Sequence, residues 1–231
     1  MVLEVTNTAD GSDTIFRGDL DQHYHSTFGA LQESNHIFIE NGLRFAVQKN
    51  RTGSGISLVT LNILEIGFGT GLNALLTCLE TEKLDATIHY TSIEPVPLEE
   101  FLWRRLNYPQ LYTDTGPAGI YQNLHLATWD IPVAISPRFT LFKVRKTLQE
   151  YIPGELKFDL VFFDAFGPDA QPELWTEQIF RKIACAMNQG GILVTYSVKG
   201  IVVRALQSAG FLIEKLPGPP GKRHILRAIK P

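Results

Sequence analysis

Residues 61–73, Leu-Asn-Ile-Leu-Glu-Ile-Gly-Phe-Gly-Thr-Gly-Leu-Asn, contain the pattern that decides the fold of this chain. The first half is mostly apolar, which suits a strand buried on both faces of a parallel sheet. Gly67, Gly69 and Gly71 then predict a tight turn at positive φ, and Leu72 begins a pattern typical of a helix. This order brings backbone N–H groups to a helix N-terminus, where nucleotide cofactors bind. The sequence therefore predicts a cofactor site at the end of this strand.

The spacing of the glycines distinguishes between two kinds of cofactor. A dinucleotide loop reads G-x-G-x-x-G, whereas these glycines fall at every second residue and follow Glu65. The arrangement resembles that of class I methyltransferases, which use S-adenosylmethionine (SAM). The resemblance implies that Glu65 lies near the aminoacyl end of SAM. It also implies that the loop from Gly67 to Gly71, with Phe68 and Asn73, passes along the amino acid and ribose.

A second strand pattern supports the SAM interpretation. Residues 88–94 alternate and end in Glu94, 23 residues after Gly71. A carboxylate at this place accepts hydrogen bonds from both ribose hydroxyls. The alternative for this residue alone is a surface glutamate after a plain buried strand.

Composition narrows the class of protein. The chain has 231 residues, of which 44% are hydrophobic and 19% charged, as in one globular domain. Cys78 and Cys185 lie apart and without clustered histidines, which argues against a disulfide framework or a metal site. The sequence shows neither a leader pattern nor an apolar run of the roughly 18 residues that a membrane helix needs. We expect a soluble, cytoplasmic protein without a metal; the sequence does not predict its oligomeric state.

Charge is unevenly distributed, although the net charge is only −3. Residues 1–100 carry 5 Lys and Arg against 14 Asp and Glu, whereas residues 181–231 carry 9 against 1. This asymmetry predicts a basic face that contacts phosphates; the alternative is an ordinary solvated surface. The nine basic residues are Arg181, Lys182, Lys199, Arg204, Lys215, Lys222, Arg223, Arg227 and Lys230.

The chain divides into two predicted parts, an N-terminal extension of residues 1–55 and a methyltransferase domain of residues 56–231. In the extension, the apolar runs 37–40 and 43–47 flank Asn41-Gly42. This dipeptide best tolerates the two positive φ angles of a type I′ turn, so a β-hairpin is expected there.

The remaining segments alternate between strand and helix patterns. Residues 1–20 predict loose structure, residues 51–55 a flexible joint, and residues 109–137 an irregular insertion with one helical turn. Helix patterns occupy residues 72–79, 98–106, 148–151, 173–187 and 202–209, and strand patterns occupy residues 139–144, 158–163, 191–196, 211–216 and 224–229. They predict a Rossmann-like α/β fold with a mostly parallel seven-stranded sheet that closes in a hairpin, as in class I methyltransferases.

The strand at residues 158–163 delivers Asp164 at its carboxyl end, where parallel sheets bind ligands. In the usual strand order this acid lies next to the glycine turn and faces the sulfonium end of the cofactor. Phe166 and Trp175 follow and offer aromatic surface for a flat base or a cation. The alternatives are a capping or turn-forming role for Asp164 and core packing for Trp175.

These residues resemble a known family, the MnmC-like methyltransferases, in the stand-alone form called MnmD. Residues 164–168, Asp-Ala-Phe-Gly-Pro, and 172–175, Pro-Glu-Leu-Trp, are similar to its signature D-G-F-x-P followed by N-P-x-M-W. Four further segments are similar to family motifs: residues 21–34, 65–73, 199–211 and 216–223. The chain departs from the pattern at Ala165, where the family has glycine. It also departs at residues 143–146, Lys-Val-Arg-Lys, where the family has an acid for the adenine amino group.

The resemblance implies SAM-dependent methylation of the primary amine of 5-aminomethyl-(2-thio)uridine at the tRNA wobble position. The product is 5-methylaminomethyl-(2-thio)uridine, and the partner is the tRNA anticodon region. Asp164 is the expected catalytic residue, which takes the amine proton or orients the amine. The expected substrate contacts are Phe166, Pro168, Trp175, Lys199, Lys222 and Arg223. The bifunctional relatives add an oxidase half, which is not expected here because the chain ends before it.

Two other classes of function remain open at this level. A small-molecule amine N-methyltransferase, or a transferase similar to polyamine synthases, would use the same fold and acidic amine site without the basic face. A module that senses SAM or nucleotides would need neither Asp164 nor the aromatic residues. Salt dependence discriminates the first alternative, since tRNA binding weakens steeply with salt.

Overall fold

The computed structural model describes residues 2–54, 58–113 and 116–231. The strands are β1 (Leu3–Asn7), β2 (Asp13–Arg17), β3 (Gln22–His23), β4 (Val59–Ile66), β5 (Ala86–Ile93), β6 (Pro132–Ser136), β7 (Phe139–Val144), β8 (Phe158–Phe163), β9 (Met187–Thr195), β10 (Leu212–Pro217) and β11 (His224–Ile229). The α-helices are α1 (Ala30–Ser34), α2 (Phe45–Ser54), α3 (Leu72–Lys83), α4 (Glu100–Trp103), α5 (Gly116–Leu126), α6 (Glu177–Ala186) and α7 (Gly200–Ser208). A π-helical segment, Asn35–Arg44, joins α1 to α2, and 3-10 turns occupy Tyr108–Leu111 and Pro172–Leu174.

The main sheet has the strand order β10-β11-β9-β8-β4-β5-β7-β6. Neighbours from β9 to β7 are parallel, whereas β11 runs antiparallel to β9 and pairs with β10 as a hairpin. The α/β class, the mostly parallel sheet and the closing hairpin are therefore confirmed. The edge strand β6, antiparallel to β7, adds an eighth strand to the predicted seven.

Helices cover both faces of this sheet because successive strand residues point in opposite directions. In β4, Leu61 and Ile63 pack in the layer that contains α3 and α5, and Leu64 and Ile66 pack in the layer that contains α6 and α7. The strand is mostly apolar because both of its faces are buried. This two-sided packing holds the carboxyl end of β4, and so the glycine turn, against a rigid core.

The hairpin predicted at residues 37–47 is wrong, since these residues form the π-helical segment and the start of α2. Gly42 is glycine for packing: an added Cβ would lie 3.0 Å from the Phe162 ring and 3.1 Å from Val194. The Asn41 amide group donates to the His36 carbonyl at 2.7 Å, inside the helix. The local turn signal is overridden by burial against the sheet.

The predicted small β-hairpin exists, but it lies at β1 and β2, in residues expected to be loose. The polar residues of its turn bond one another. The Asp10 carboxylate accepts from the Ser12 N–H at 3.0 Å, the Thr8 hydroxyl at 2.9 Å and the Gln32 N–H at 2.8 Å. The pKa of Asp10 is lowered, because these hydrogen bonds outweigh a desolvation that acts the other way. Asp10, in a segment predicted to be loosely structured, therefore caps the hairpin turn and the start of α1.

The segment 109–137 is more regular than predicted. Pro117 stands in the first turn of α5, where proline costs no hydrogen bond, and β6 completes the segment. Of the predicted joint, residues 51–54 end α2; residue 55 and the boundary between residues 55 and 56 lie outside the described residues. Within the ranges described, no helix is both long and apolar enough to cross a membrane.

Candidate functional site

A cavity of about 680 Å³ opens where β4, β5 and β8 end. Its volume lies in the range typical of small-molecule sites. The lining comes from residues 21–28, 66–70, 93–96, 147–149 and 164–166, together with Glu33, Asn73, Tyr196 and Lys222. Predicted site residues from the glycine loop and the β8 end therefore meet in one cavity, and the N-terminal extension supplies one wall.

The glycine turn needs its glycines for two reasons. Gly67, Gly69 and Gly71 have φ angles of 92°, 49° and 74°, which other residues rarely adopt. At Gly69 an added Cβ would also lie 2.9 Å from the Tyr24 ring. Gly71 does not line the cavity; its N–H donates to the Phe68 carbonyl at 2.8 Å and it starts α3. Gly67, Phe68 and Gly69 form the cavity wall, and Gly71 shapes the turn behind them.

Glu94, the residue predicted to bind the ribose hydroxyls, lines the cavity. Its carboxylate accepts from the Gly69 N–H at 3.1 Å and from the Val96 N–H at 2.9 Å. Burial raises its pKa, and these two backbone bonds act in the other direction. The carboxylate is thereby held beside the loop with acceptor capacity left for a hydroxyl pair.

Glu65 is fully buried, accepts from the Ser92 hydroxyl at 2.6 Å, and does not line the cavity. Burial raises its pKa to about 8. The other carboxylate oxygen, Oε1, is buried and has no hydrogen-bond partner among the described residues. The predicted contact of Glu65 with the cofactor stays a prediction.

Asp164 and Asn73 form the centre of the cavity floor. The Asn73 amide group donates to Asp164 Oδ2 at 2.8 Å. The Asn73 Oδ1 atom is buried and has no hydrogen-bond partner among the described residues. The pKa of Asp164 lies well above its usual range, first because of burial and next because of the charge of Glu33, while Lys222 acts in the opposite sense.

Sequence reasoning missed Glu33 and Tyr196. Glu33 is 7% exposed on α1; its Oε2 accepts from the Ser26 N–H at 2.7 Å and its Oε1 lies 3.2 Å from Lys222 Nζ. The Tyr196 hydroxyl donates to the Ala165 carbonyl at 2.9 Å, and its ring faces Lys222 Nζ at 4.9 Å. Glu33 lies inside the motif at residues 21–34, but nothing in its spacing indicates that its charge acts on Asp164.

An N-terminal segment, residues 21–28, forms the roof of the cavity. The Tyr24 ring packs edge-on against Phe166, with centroids 4.9 Å apart, and Arg17 lies 5.3 Å above the same Phe166 ring. His25 joins the roof to the glycine loop through a 2.8 Å bond between Nε2 and Thr70 Oγ1. Burial lowers the pKa of His25 to about 4, so the ring is neutral at neutral pH. Phe166 is therefore a cavity residue with aromatic and cationic neighbours.

Trp175 does not reach the cavity. Its side chain is 1% exposed and packs on Phe163 and Tyr196, and its indole N–H donates to the Phe166 carbonyl at 2.8 Å. The expected direct contact with a substrate is corrected by this burial. Trp175 instead fixes the backbone that carries Phe166.

The expected polar contacts of the substrate line a second, shallower groove of about 350 Å³ beside the cavity. Pro168, Lys199, Lys222 and Arg223 contribute to it. Lys199 forms an ion pair with Asp169 across this groove. The cavity and the groove share Gln22, Tyr196 and Lys222, so they are adjacent.

The nine basic residues near the C-terminus do not make one face. Lys230 donates to the Ala184 and Met187 carbonyls, at the beginning of β9, whereas Lys199 follows the end of that strand. Nine strand residues place these two sites about 30 Å apart. Lys182 likewise donates to backbone carbonyls at Leu148 and Gln149. Much of the charge asymmetry therefore serves the fold, and only part of it borders the site.

Lys143 explains the unusual sequence after the third parallel strand. The side chain is 1% exposed, donates from Nζ to the His125 carbonyl at 2.6 Å, and lies 4.5 Å from the Trp129 ring. Burial lowers its pKa to about 8. Lys143 does not line the cavity, whereas residues 147–149 do.

The fold is that of the class I SAM-dependent methyltransferases. Residues 130–231 match a family model described as S-adenosyl-L-methionine-dependent methyltransferase. The structure resembles the crystal structure of MNMC2 from Aquifex aeolicus with a TM-score of 0.78 and 25% identity, covering 98% of this chain and 70% of that one.

Sequence comparison identifies more specific relatives among the methyltransferases. Two relatives are the tRNA 5-methylaminomethyl-2-thiouridine biosynthesis bifunctional proteins MnmC of Burkholderia multivorans and Nitrosospira multiformis. The Burkholderia protein is 31% identical to this chain, and the match covers 88% of this chain and 31% of that protein. The Nitrosospira protein is 32% identical, and the match covers 90% of this chain and 34% of that protein. The resemblance to the MnmC-like methyltransferases is therefore confirmed. This chain spans about a third of the length of these relatives.

Proposed function

We propose that the protein transfers a methyl group from SAM to the primary amine of 5-aminomethyl-(2-thio)uridine at the tRNA wobble position. One observation carries the proposal: the partly buried acid Asp164, the partly exposed ring of Phe166 and the glycine loop line one cavity. An acid at the end of β8 suits an amine, and an aromatic wall suits a flat base. The names of the relatives supply the particular nucleoside.

The residues present fit the cofactor. Glu94 would hold the ribose hydroxyls of the cofactor. The backbone of Gly67, Phe68 and Gly69 would lie along its amino acid and ribose. The free Oδ1 of Asn73 is suited to a donor such as the amino group of the cofactor. When bound, SAM supplies an electrophilic methyl group: the amine lone pair forms the N–C bond while the C–S bond breaks and its electron pair stays on sulfur.

The chain's own residues must present a neutral amine to that methyl group. An alkylammonium has a pKa near that of lysine, about 10, and has no lone pair. Asp164 accepts hydrogen bonds from the N–H groups of the amine and so aligns the nitrogen with the methyl group. Positioning of this kind contributes much of the rate of methyl transfer. The proton lost by the amine leaves to Asp164 or to water.

The acceptor nucleotide reaches the cavity by leaving its stack, as bases do for other enzymes that modify them. Phe166 packs against the flipped base, and the groove with Pro168, Lys199 and Arg223 receives the neighbouring phosphates. The extension, residues 1–55, belongs to the site through its roof and Glu33, and residues 56–231 supply the cofactor loop. A tRNA substrate implies a cytoplasmic location, which is part of the same proposal.

A small amine is the second candidate acceptor, because Lys199 and Lys222 are already paired with acids and leave few free cations at the groove. The two candidates differ in their salt response. Activity on tRNA should fall steeply as salt rises from 50 to 200 mM, since each phosphate contact releases counterions. Activity on a small amine should change little.

The decisive test uses tRNA from cells that lack this methylation. The protein is incubated with SAM and this tRNA, the tRNA is digested to nucleosides, and the nucleosides are weighed by mass spectrometry. We expect a gain of one methyl group on 5-aminomethyl-(2-thio)uridine alone. A matched reaction with Asp164→Ala serves as the control, and an unchanged nucleoside profile with the wild-type protein would refute the proposal.

A further inference from the structure

An ion pair between Glu33, near the N-terminus, and Lys222, near the C-terminus, lies in the wall of the cavity. Lys222, in the turn between β10 and β11, has its Nζ 3.2 Å from Glu33 Oε1 on α1. The Glu33 side chain is 9% exposed and that of Lys222 is 29% exposed. Both residues line the same cavity as Asp164. A partly desolvated charge in this place acts on whatever binds beside it.

The fold holds Lys222 in a defined position. Its Nζ lies over the Tyr196 ring at 4.9 Å, a favourable cation–π distance. The preceding residue, Gly221, has a φ of 81°, and an added Cβ there would lie 2.3 Å from the Phe28 ring. The chain therefore passes under Phe28 only with glycine at 221, and this fixes the start of the Lys222 side chain.

We propose that Lys222, anchored by Glu33, is an electrostatic positioning residue that keeps the acceptor amine in its neutral, nucleophilic form. The inference rests on the proposed function, since it concerns the amine that this cavity would receive. A positive charge within about 4–6 Å of an amine disfavours the ammonium and lowers its pKa by about one to three. The same charge favours the carboxylate form of Asp164, which is the form that accepts an N–H group.

The charge of Lys222 offsets that of two nearby acids. Glu33 pairs with it from α1, and Asp164, at the end of β8, is acted on by both charges, by Glu33 more than by Lys222. Removal of the cation would leave the two acids to stabilise an ammonium group. Arg223 and His224 follow on the same segment and add no negative charge. In the adjoining groove, Asp169 is already paired with Lys199. A merely phosphate-binding lysine would not need a buried glutamate or an aromatic platform.

The test is the pH dependence of single-turnover methyl transfer, with SAM saturating and the enzyme in excess over tRNA, at an enzyme concentration that binds all of the tRNA; the KM for tRNA is measured separately under multiple turnover. For the wild type, the rate should rise with pH along an acid limb set by the amine. In Lys222→Met the limb should move about one pH unit upward, so the rate at pH 7 falls about tenfold while the rates converge at high pH. Lys222→Arg, which keeps the charge, should retain the wild-type limb.

Lys215→Met, an exposed lysine on β10, is the matched control for loss of one positive charge, and Lys222→Gln replaces Lys222→Met if the latter fails to bind SAM. An unmoved acid limb in the neutral variants, with only a raised KM for tRNA, would show a phosphate contact and overturn the inference. That result leaves the proposed function standing. Absence of methylation by the wild-type protein overturns the proposed function and this inference with it.

Discussion

The buried acid Glu65 should contribute strongly to the pH dependence of stability near neutrality. Its carboxyl is fully buried behind the glycine loop and receives a hydrogen bond from Ser92 at 2.6 Å. Burial raises its pKa from 4.5 to about 8. In the folded protein the group is therefore protonated at pH 7, whereas in the unfolded chain it has released its proton.

The sign of the effect follows from this difference. A group whose folded pKa is raised contributes stability that is present below pH 4.5 and is lost as pH rises to about 8. Each pH unit inside this interval costs about 1.4 kcal/mol, so wild-type stability should fall by about 3 to 4 kcal/mol between pH 5 and pH 8 from Glu65 alone. Glu65→Gln keeps the shape and removes the titration, and should therefore be the more stable protein at pH 8.

The measurement is urea unfolding without cofactor, followed by tryptophan fluorescence at pH 5, 6, 7 and 8. The difference in free energy of unfolding between Glu65→Gln and wild type cancels most other titrating groups. It should grow in favour of the variant by about 3 kcal/mol across the series. Glu155→Gln, at an exposed position before β8, is the matched control and should run parallel to the wild type. Parallel curves for Glu65→Gln as well would refute the reasoning.

Three further outcomes test the site. Gly69→Ala should lower SAM affinity at least tenfold in calorimetry, because a φ of 49° and a contact of 2.9 Å with the Tyr24 ring both oppose a Cβ; unchanged affinity would contradict the role of this glycine. Asp164→Ala should keep SAM affinity within a few-fold and lose most turnover, and normal turnover would remove Asp164 from the mechanism. Trp175→Phe should cost about 1 kcal/mol of stability through the lost bond to the Phe166 carbonyl, without changing salt dependence of tRNA methylation; a changed salt slope would restore a substrate contact.

The parts of the fold that could be predicted share a strong local pattern. The run from Leu61 to Asn73 is buried on both faces and ends in glycines whose φ angles require glycine, so periodicity and turn chemistry agree. Asp164 was predictable for a related reason, since the end of a parallel strand is a recurrent ligand position. At both places the local sequence and the tertiary structure favour the same conformation.

The predictions that failed concern residues whose presence could be explained in two physical ways. Gly42 follows Asn41 and satisfies a turn rule, yet it is glycine because Phe162 and Val194 come within about 3 Å of its missing side chain. Trp175 lies beside a site motif and looks like a base platform, yet its ring fills the core and its N–H holds a carbonyl. Sequence cannot separate these explanations, because the deciding neighbours are distant in the chain.

Charge shows the same ambiguity on a larger scale. Lys182 and Lys230 are as basic as Lys222, but their ammonium groups hold backbone carbonyls at Leu148, Gln149, Ala184 and Met187. Counting residues assigned all of them to one partner, whereas geometry separates cations that close the fold from those at the groove. Lys222 shares features of both groups. Its ion pair with Glu33 sets its position, as for the cations that hold the fold together. It also lines the cavity, so its charge acts on the ligand site. A cation fixed in this way is better suited to tuning an amine than to holding a mobile phosphate, because the field it produces does not relax when the ligand binds.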